Sequence, residues 1–249
     1  MVLGDYKIEV AFSPDLFGAC DLNNAIVVVI DVLRATSAIC TALESGVERV
    51  IPVSTLEEAL EYQKKGFLVG AERNGEQIPG FDFGNSPYSY KNPELKGKTV
   101  VLTTTNGTKA INMAKDADMV VAGAFTNISV LSKWLEEQDK NIVFLCSGWK
   151  GRFNLEDSLF AGAVIDRISG NYKYRELSDS ALASKYLFHT ADADPYKFLR
   201  NSSHRKRMHK LNLKKDVKYC LTLDQSTVIP ILKGNEMVSL ESYYESITS

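Results

Sequence analysis

Residues 27–38 read VVVIDVLRATSA, and the fold follows from how this run changes character at Asp31. Four β-branched apolar residues in a row suit a strand buried on both faces of a parallel sheet. The acid at the end of the run and the following Arg34, Thr36 and Ser37 mark the turn into a helix. In an open α/β sheet, ligands bind at the carboxyl ends of the strands. A carboxylate there can ligate a metal or attack phosphorus, while the hydroxyls and early helix amides can hold anionic oxygens. The plainer alternative makes Thr36 a helix cap and Asp31–Arg34 a surface ion pair.

Outward from this run, short apolar stretches alternate with amphipathic ones, the pattern of βα units. Strands are expected over residues 26–30, 49–53, 67–69, 99–102, 119–122 and 142–146. Helices are expected over 35–43, 56–62, 108–114, 127–137 and 155–168. Beyond Ser169 the pattern loosens into a helix near 179–189, a basic segment over 201–218 and a short strand at 227–232. This predicts an α/β protein with three α/β/α layers and a largely parallel or mixed sheet. Ile30, Asp31, Thr36, Ala38 and Ile39 match Leu102, Thr103, Thr108, Ala110 and Ile111 at one constant offset. That faint echo leaves two readings open: one domain over residues 1–249, or two similar, intertwined subdomains of about 1–125 and 126–249.

Hydrophobic residues make up 45% of the 249 and charged ones 24%, as in an ordinary globular protein. A formal net charge of −2 argues against nonspecific nucleic-acid binding. Cys20, Cys40, Cys146 and Cys220 form no CxxC pair, so they read as reduced thiols of a cytoplasmic protein. No segment has the length and apolarity of a membrane span or an export signal.

Four further stretches carry chemistry-bearing residues. Residues 71–87, AERNGEQIPGFDFGNSP, hold Glu72, Arg73, Asp82, Asn85 and Ser86 in a loop punctuated by glycine and proline, suited to binding a hard cation and an anion together. Residues 103–109, TTTNGTK, place Thr105, Asn106, Gly107 and Thr108 after a strand, as an anion cradle or an ordinary capping turn. Residues 145–157, LCSGWKGRFNLED, put Cys146 at a strand end and Glu156 and Asp157 in a first helical turn. There the thiol is either a nucleophile or a small apolar filler, and Asn154 is a plausible cap for Asp157. Residues 202–215, SSHRKRMHKLNLKK, set His204 and Arg205 among further cations. His204 can protonate a leaving oxygen and the arginines can attract a polyanionic substrate, or the segment is a solvated basic helix.

DVLRATSA, AERNGEQIPGFDFGNSP, TTTNGTKAI, LCSGWKGRFNLEDSLFAG and SSHRKRM, in that order, resemble the 2-phosphosulfolactate phosphatase family. Ser147 stands where that family usually has alanine, and Arg205 where it commonly has glycine. The resemblance implies an α/β/α, Mg2+-dependent phosphatase converting (2R)-2-phospho-3-sulfolactate to sulfolactate and phosphate, a step of coenzyme M synthesis. Carried onto this chain, it puts Asp31, Glu72, Asp82, Glu156 and Asp157 on the metal side. Arg34, Thr36, Arg73, Asn85, Ser86, Thr105, Asn106, Gly107 and Thr108 are then expected to hold substrate oxygens, with Asp31, Cys146 and His204 in catalysis. Water, Asp31 and Cys146 all stay open as the nucleophile. The expected partner is a small anionic phosphate ester, with neither nucleic acid nor membrane, and a homodimer is left open. Two rivals are weighed. A haloacid-dehalogenase-like phosphatase requires a second acid two residues after Asp31, where this chain has Leu33. A noncatalytic module binding phosphorylated metabolites is the other.

Overall fold

A computed structural model of the chain describes residues 6–174, 176–191 and 194–248. In chain order its elements are β1 (Lys7–Ala11), α1 (Pro14–Phe17), β2 (Ala25–Ile30), α2 (Ala35–Glu44), β3 (Arg49–Pro52), α3 (Leu56–Lys64), β4 (Leu68–Arg73), β5 (Glu76–Gln77), β6 (Thr99–Thr103), α4 (Gly107–Met113) and β7 (Met119–Gly123). They continue as α5 (Ile128–Glu137), β8 (Asn141–Cys146), α6 (Leu155–Ile168), β9 (Glu176–Leu177), α7 (Asp179–Thr190), α8 (Pro195–Phe198), α9 (Ser203–Lys210), α10 (Lys214–Cys220), β10 (Pro230–Lys233), β11 (Glu236–Ser239) and α11 (Leu240–Thr248).

The strands form one sheet in the order β5-β4-β6-β3-β11-β10-β7-β2-β8-β1-β9. Two parallel blocks, β4-β6-β3 and β7-β2-β8-β1, are spliced by the antiparallel hairpin β10/β11. The mixed, mainly parallel α/β sheet is as the apolar runs predict. β2 is buried at all six positions, which only a strand covered on both faces can be. Its side chains alternate between two cores. Ile26, Val28 and Ile30 join α5 and α6 residues such as Leu131, Leu135, Phe160 and Val164. Ala25, Val27 and Val29 join Ala38, Ile39 and Ala42 of α2 and Ala110 and Ile111 of α4. The period of two along the strand thus builds a helical layer on each face.

The crossovers interleave the two blocks. β2 leads through α2 to β3 and through α3 to β4; β6 leads through α4 to β7 and through α5 to β8. Setting β2, β3 and β4 beside β6, β7 and β8 turns the order β4-β6-β3 into β8-β2-β7, the sequence in which the second block lies. The offset echo between residues 30–39 and 102–111 therefore falls on corresponding βα turns.

Four strands lie outside the expectations, among them the two-residue β5, which pairs antiparallel with β4 inside the stretch read as a loop. β1 pairs in parallel with β8, yet Lys7 and Glu9 leave it only two clear apolar alternations. β9 has two residues, and β11 closes a hairpin at Gly234, whose φ is +63°. The basic segment is two helices, α9 and α10, folded over the sheet end. No helix among the described residues is long and apolar enough to cross a membrane.

Candidate active site

Asp31 leaves the carboxyl end of β2 and is only 8% exposed. Its amide donates to Thr36 Oγ1 at 3.1 Å, and its carbonyl accepts from the Thr36 amide at 3.0 Å. The carboxylate receives the Ala35 amide at 3.4 Å. α4 begins against this acid: a Cβ on Gly107 would stand 2.7 Å from Asp31 Oδ2 and 2.5 Å from Ala35 Cβ. Only glycine allows that approach. The Asp31 carboxyl is pushed up to about 6, chiefly by burial, with His204 and the Ala35 amide opposing the rise and the charges of Glu72 and Glu156 adding to it.

The turn after β8 supplies two more acids. Asp157 is wholly buried and accepts the Val32 amide at 3.0 Å and the Gly148 amide at 3.3 Å, so it ties the β2–α2 turn to the β8–α6 turn. Its amide donates to Asn154 Oδ1 at 3.2 Å, the cap expected from the sequence. Burial, then the charges of Asp31 and Glu156, hold the Asp157 carboxyl well above the usual carboxylate range. Glu156 is 1% exposed; one oxygen pairs closely with His204 Nδ1, and the other, Oε2, has no hydrogen-bond partner. His204 reaches it from α9.

Glu72, near the end of β4, is the hub of the third turn. It accepts the Gly75 amide, the Thr105 amide at 3.2 Å and the Thr105 hydroxyl at 3.2 Å. Arg73 donates to the Glu72 carbonyl at 2.6 Å and to Thr103 Oγ1 at 3.1 Å. Asn106 Oδ1 accepts the Lys150 amide at 3.3 Å, joining this turn to the β8–α6 loop. Arg34 is buried, paired with Asp216 and donating to the Gly75 carbonyl at 2.6 Å. It lines a cavity of about 350 Å3 together with Gly75, Gly84, Asn85 and Ser86. Asn85 is buried and its Oδ1 has no hydrogen-bond partner.

Some predicted residues stand elsewhere or are already occupied. Asp82 is exposed and receives the Val69 amide at 2.8 Å, at the opposite end of β4 from Glu72, which takes it away from the acid cluster. Cys146 is fully buried within the apolar core, 4.0 Å from Ser158 Oγ, and burial raises its thiol well above the ordinary value. It cannot supply a thiolate near neutral pH. Thr36 and Thr108 are fully buried and bonded within their own turns, so they shape the site rather than reach into it.

Other residues that were not among the expected site residues also join it. Asp216 of α10 neutralises Arg34 from 182 positions away. Ser147 is buried beside Ile30, its amide donating to the Ile30 carbonyl at 2.8 Å and its Oγ unpartnered. Trp149 lies 5.8 Å from the His204 ring and 3.7 Å from the Arg207 guanidinium. Residues 148–152 fold back by a Trp149–Arg152 backbone pair, with left-handed φ at Gly148, Lys150 and Gly151. That local turn chemistry was readable; the partners of Trp149 were not.

Asp31, Asp157, Glu156 and Glu72 act on one another through buried carboxylates, and Glu156 keeps an orphaned oxygen. Oxygen donors with uncompensated negative charge fit a hard divalent cation, and such an ion would offset the burial, and then the mutual repulsion, that raise Asp31 and Asp157. Among the described residues, no group of three or more His, Cys, Asp or Glu side chains stands arranged to hold a metal ion, so a cation here would take much of its shell from water and substrate oxygens.

The sequence profile of the 2-phosphosulpholactate phosphatase family matches residues 11–235. A probable 2-phosphosulfolactate phosphatase of Thermotoga petrophila is 44% identical over 214 residues, 86% of this chain and 92% of its own length. One from Clostridium perfringens is 39% identical over 242 residues, covering 95% and 97%. A third, from Caldanaerobacter subterraneus subsp. tengcongensis, is 39% identical over 218 residues, covering 86% and 90%. A match of that extent, with the acid-bearing turns inside it, shows that the chain belongs to the 2-phosphosulfolactate phosphatase family of phosphoric monoester hydrolases.

Proposed function

We propose that this protein hydrolyses (2R)-2-phospho-3-sulfolactate to (2R)-3-sulfolactate and phosphate with Mg2+, a reaction of the coenzyme M biosynthesis type, in the cytoplasm. The observation that carries this reading is the buried carboxylate cluster formed where the turns after β2, β4 and β8 meet. The free state of all four cysteines accords with a reducing compartment.

Asp31 and Asp157 would hold Mg2+ together with water and substrate oxygens; when bound, the ion supplies charge to the phosphoryl oxygens and lowers the pKa of water. The residues of the chain do the rest. Arg73 and the first amides of α4 provide donors for anionic oxygens, while the Thr105 hydroxyl is spent on Glu72. Water adds to phosphorus, the bond from phosphorus to the lactate oxygen breaks, and that oxygen takes a proton. His204, its Nδ1 engaged by Glu156, is positioned to deliver that proton from Nε2. A carboxylate that orients the imidazole fixes the ring nitrogen available for transfer. With Cys146 buried in the core, water is the nucleophile in this reading.

Phosphate release from phosphosulfolactate, measured with and without EDTA and with metal content verified, tests it. Activity should vanish with the metal and return with added Mg2+. Undiminished turnover by metal-free protein overturns the Mg2+ assignment; absence of phosphate release in saturating Mg2+ overturns the substrate.

A further inference from the structure

The second basic residue of α9 that enters the site is Arg207, one helical turn beyond His204. Its guanidinium lies 3.7 Å above the Trp149 ring, and the same indole approaches His204 at 5.8 Å. His204 is in turn bonded to Glu156. Trp149 therefore fixes Arg207 next to the proposed proton donor, using a flat surface that offers attraction without consuming any guanidinium N–H. Arg207 Nη2 is buried and has no hydrogen-bond partner. Burial lowers the Arg207 pKa from its ordinary value, and the charges of Glu156 and Glu72 partly restore it. The guanidinium thus lies within reach of acids from both the β4 and β8 turns, yet among the described residues it makes no ion pair with either.

A buried, unsatisfied donor on a permanently charged group is costly. An oxyanion in the site would satisfy it. We infer that Arg207, held on the Trp149 ring, is a substrate-binding cation that receives a phosphoryl oxygen of the phosphate ester, with Trp149 as its positioning residue. This inference rests on the proposed phosphatase reaction, but it also predicts binding of inorganic phosphate, the product, without turnover.

The test combines kinetics with phosphate binding in the Mg2+-loaded protein. Arg207→Ala should lower kcat/KM about 100-fold, as the loss of a charged oxyanion donor does, and weaken inorganic phosphate binding about tenfold. Free guanidinium ion should restore activity about tenfold in this variant and leave wild type unaffected, a response that a merely structural residue would not give. Arg207→Lys keeps the charge but neither the fork nor the flat stack, and should lose about tenfold; it carries the test if the alanine variant does not fold. Trp149→Leu should raise KM by about tenfold with a smaller change in kcat. The chain has two tryptophans, so in a Trp134→Phe background Trp149 is the sole tryptophan, and the indole emission should shift on phosphate addition.

An active wild type whose Arg207→Ala and Arg207→Lys variants keep kcat/KM and phosphate affinity within twofold overturns the inference and spares the phosphatase reading. A wild type that binds phosphate through Arg207 but does not hydrolyse phosphosulfolactate upholds the inference and overturns that reading. A wild type that neither binds phosphate nor turns over removes both.

Discussion

The turn after β2 and the turn after β6 share their backbone construction and differ in charge. In each, an amide just past the strand donates to a threonine hydroxyl in the first helical turn, Asp31 to Thr36 at 3.1 Å and Thr104 to Thr108 at 3.2 Å. Each threonine is fully buried. The first turn then presents the Asp31 carboxylate, while the second presents Thr103 and Thr105, which serve Arg73 and Glu72. Neutral hydroxyl–amide bonds set the frame in both, and the reactive charge is confined to one. The two turns meet at Gly107, so each shapes the other.

The strongest way to break this contrast is Asp31→Asn, which keeps the shape and removes the charge. The variant should fold, and kcat should fall by on the order of a hundredfold or more. Near-normal turnover by a folded variant would make the two turns chemically equivalent. Removing the Thr105 hydroxyl as Thr105→Val should cost less than tenfold, because the Thr105 amide still holds Glu72.

Gly107→Ala probes the contact between the turns. The new methyl collides with Asp31 Oδ2 and Ala35 Cβ, and overpacking of this kind costs about 1–3 kcal/mol. Urea unfolding should show the loss, together with reduced kcat. An unfolding midpoint equal to wild type would mean that the turns are less closely apposed than described.

The pH dependence of stability separates the turns by charge. Because the folded state raises Asp31 to about 6, its contribution is full below the unfolded value near 4 and is lost as pH rises through 6. Metal-free wild type should therefore be less stable at pH 8 than at pH 5, relative to Asp31→Asn, by about 1–3 kcal/mol. Urea titrations of both proteins at the two pH values measure it. A parallel pH response in the two would show that Asp31 is ionised without penalty. Thr103→Val, the corresponding change in the uncharged turn, should leave this pH response intact.

The smallest effect concerns what the turns have in common. Thr36→Val and Thr108→Val each leave a strand-end amide without its acceptor, and each should cost about 1 kcal/mol. Similar losses in thermal unfolding support a shared frame; a loss in only one variant would confine the frame to that turn.

The β2–α2 unit, the six central strands and the loops that carry Glu72, Asn106 and Asp157 were legible in the chain because hydrophobic periodicity and turn chemistry are local properties. Helix α6 was read at its observed bounds, since Asn154 announces its start. β1 and β11 escaped because short strands with partly exposed charges carry little pattern. The sequence alone also identified Asp31, Glu72, Glu156, Asp157 and His204 as candidates. It could not tell that Asp82 caps the start of β4 while Glu72 faces the site, or that Cys146 is sealed in the core. Nor could it pair Glu156 with His204, Arg34 with Asp216 or Trp149 with Arg207, contacts that span 48, 182 and 58 positions respectively. Those depend on the order of strands in the sheet and on where α9 and α10 settle. Burial of the whole chain decides that order, and no local run of residues encodes it.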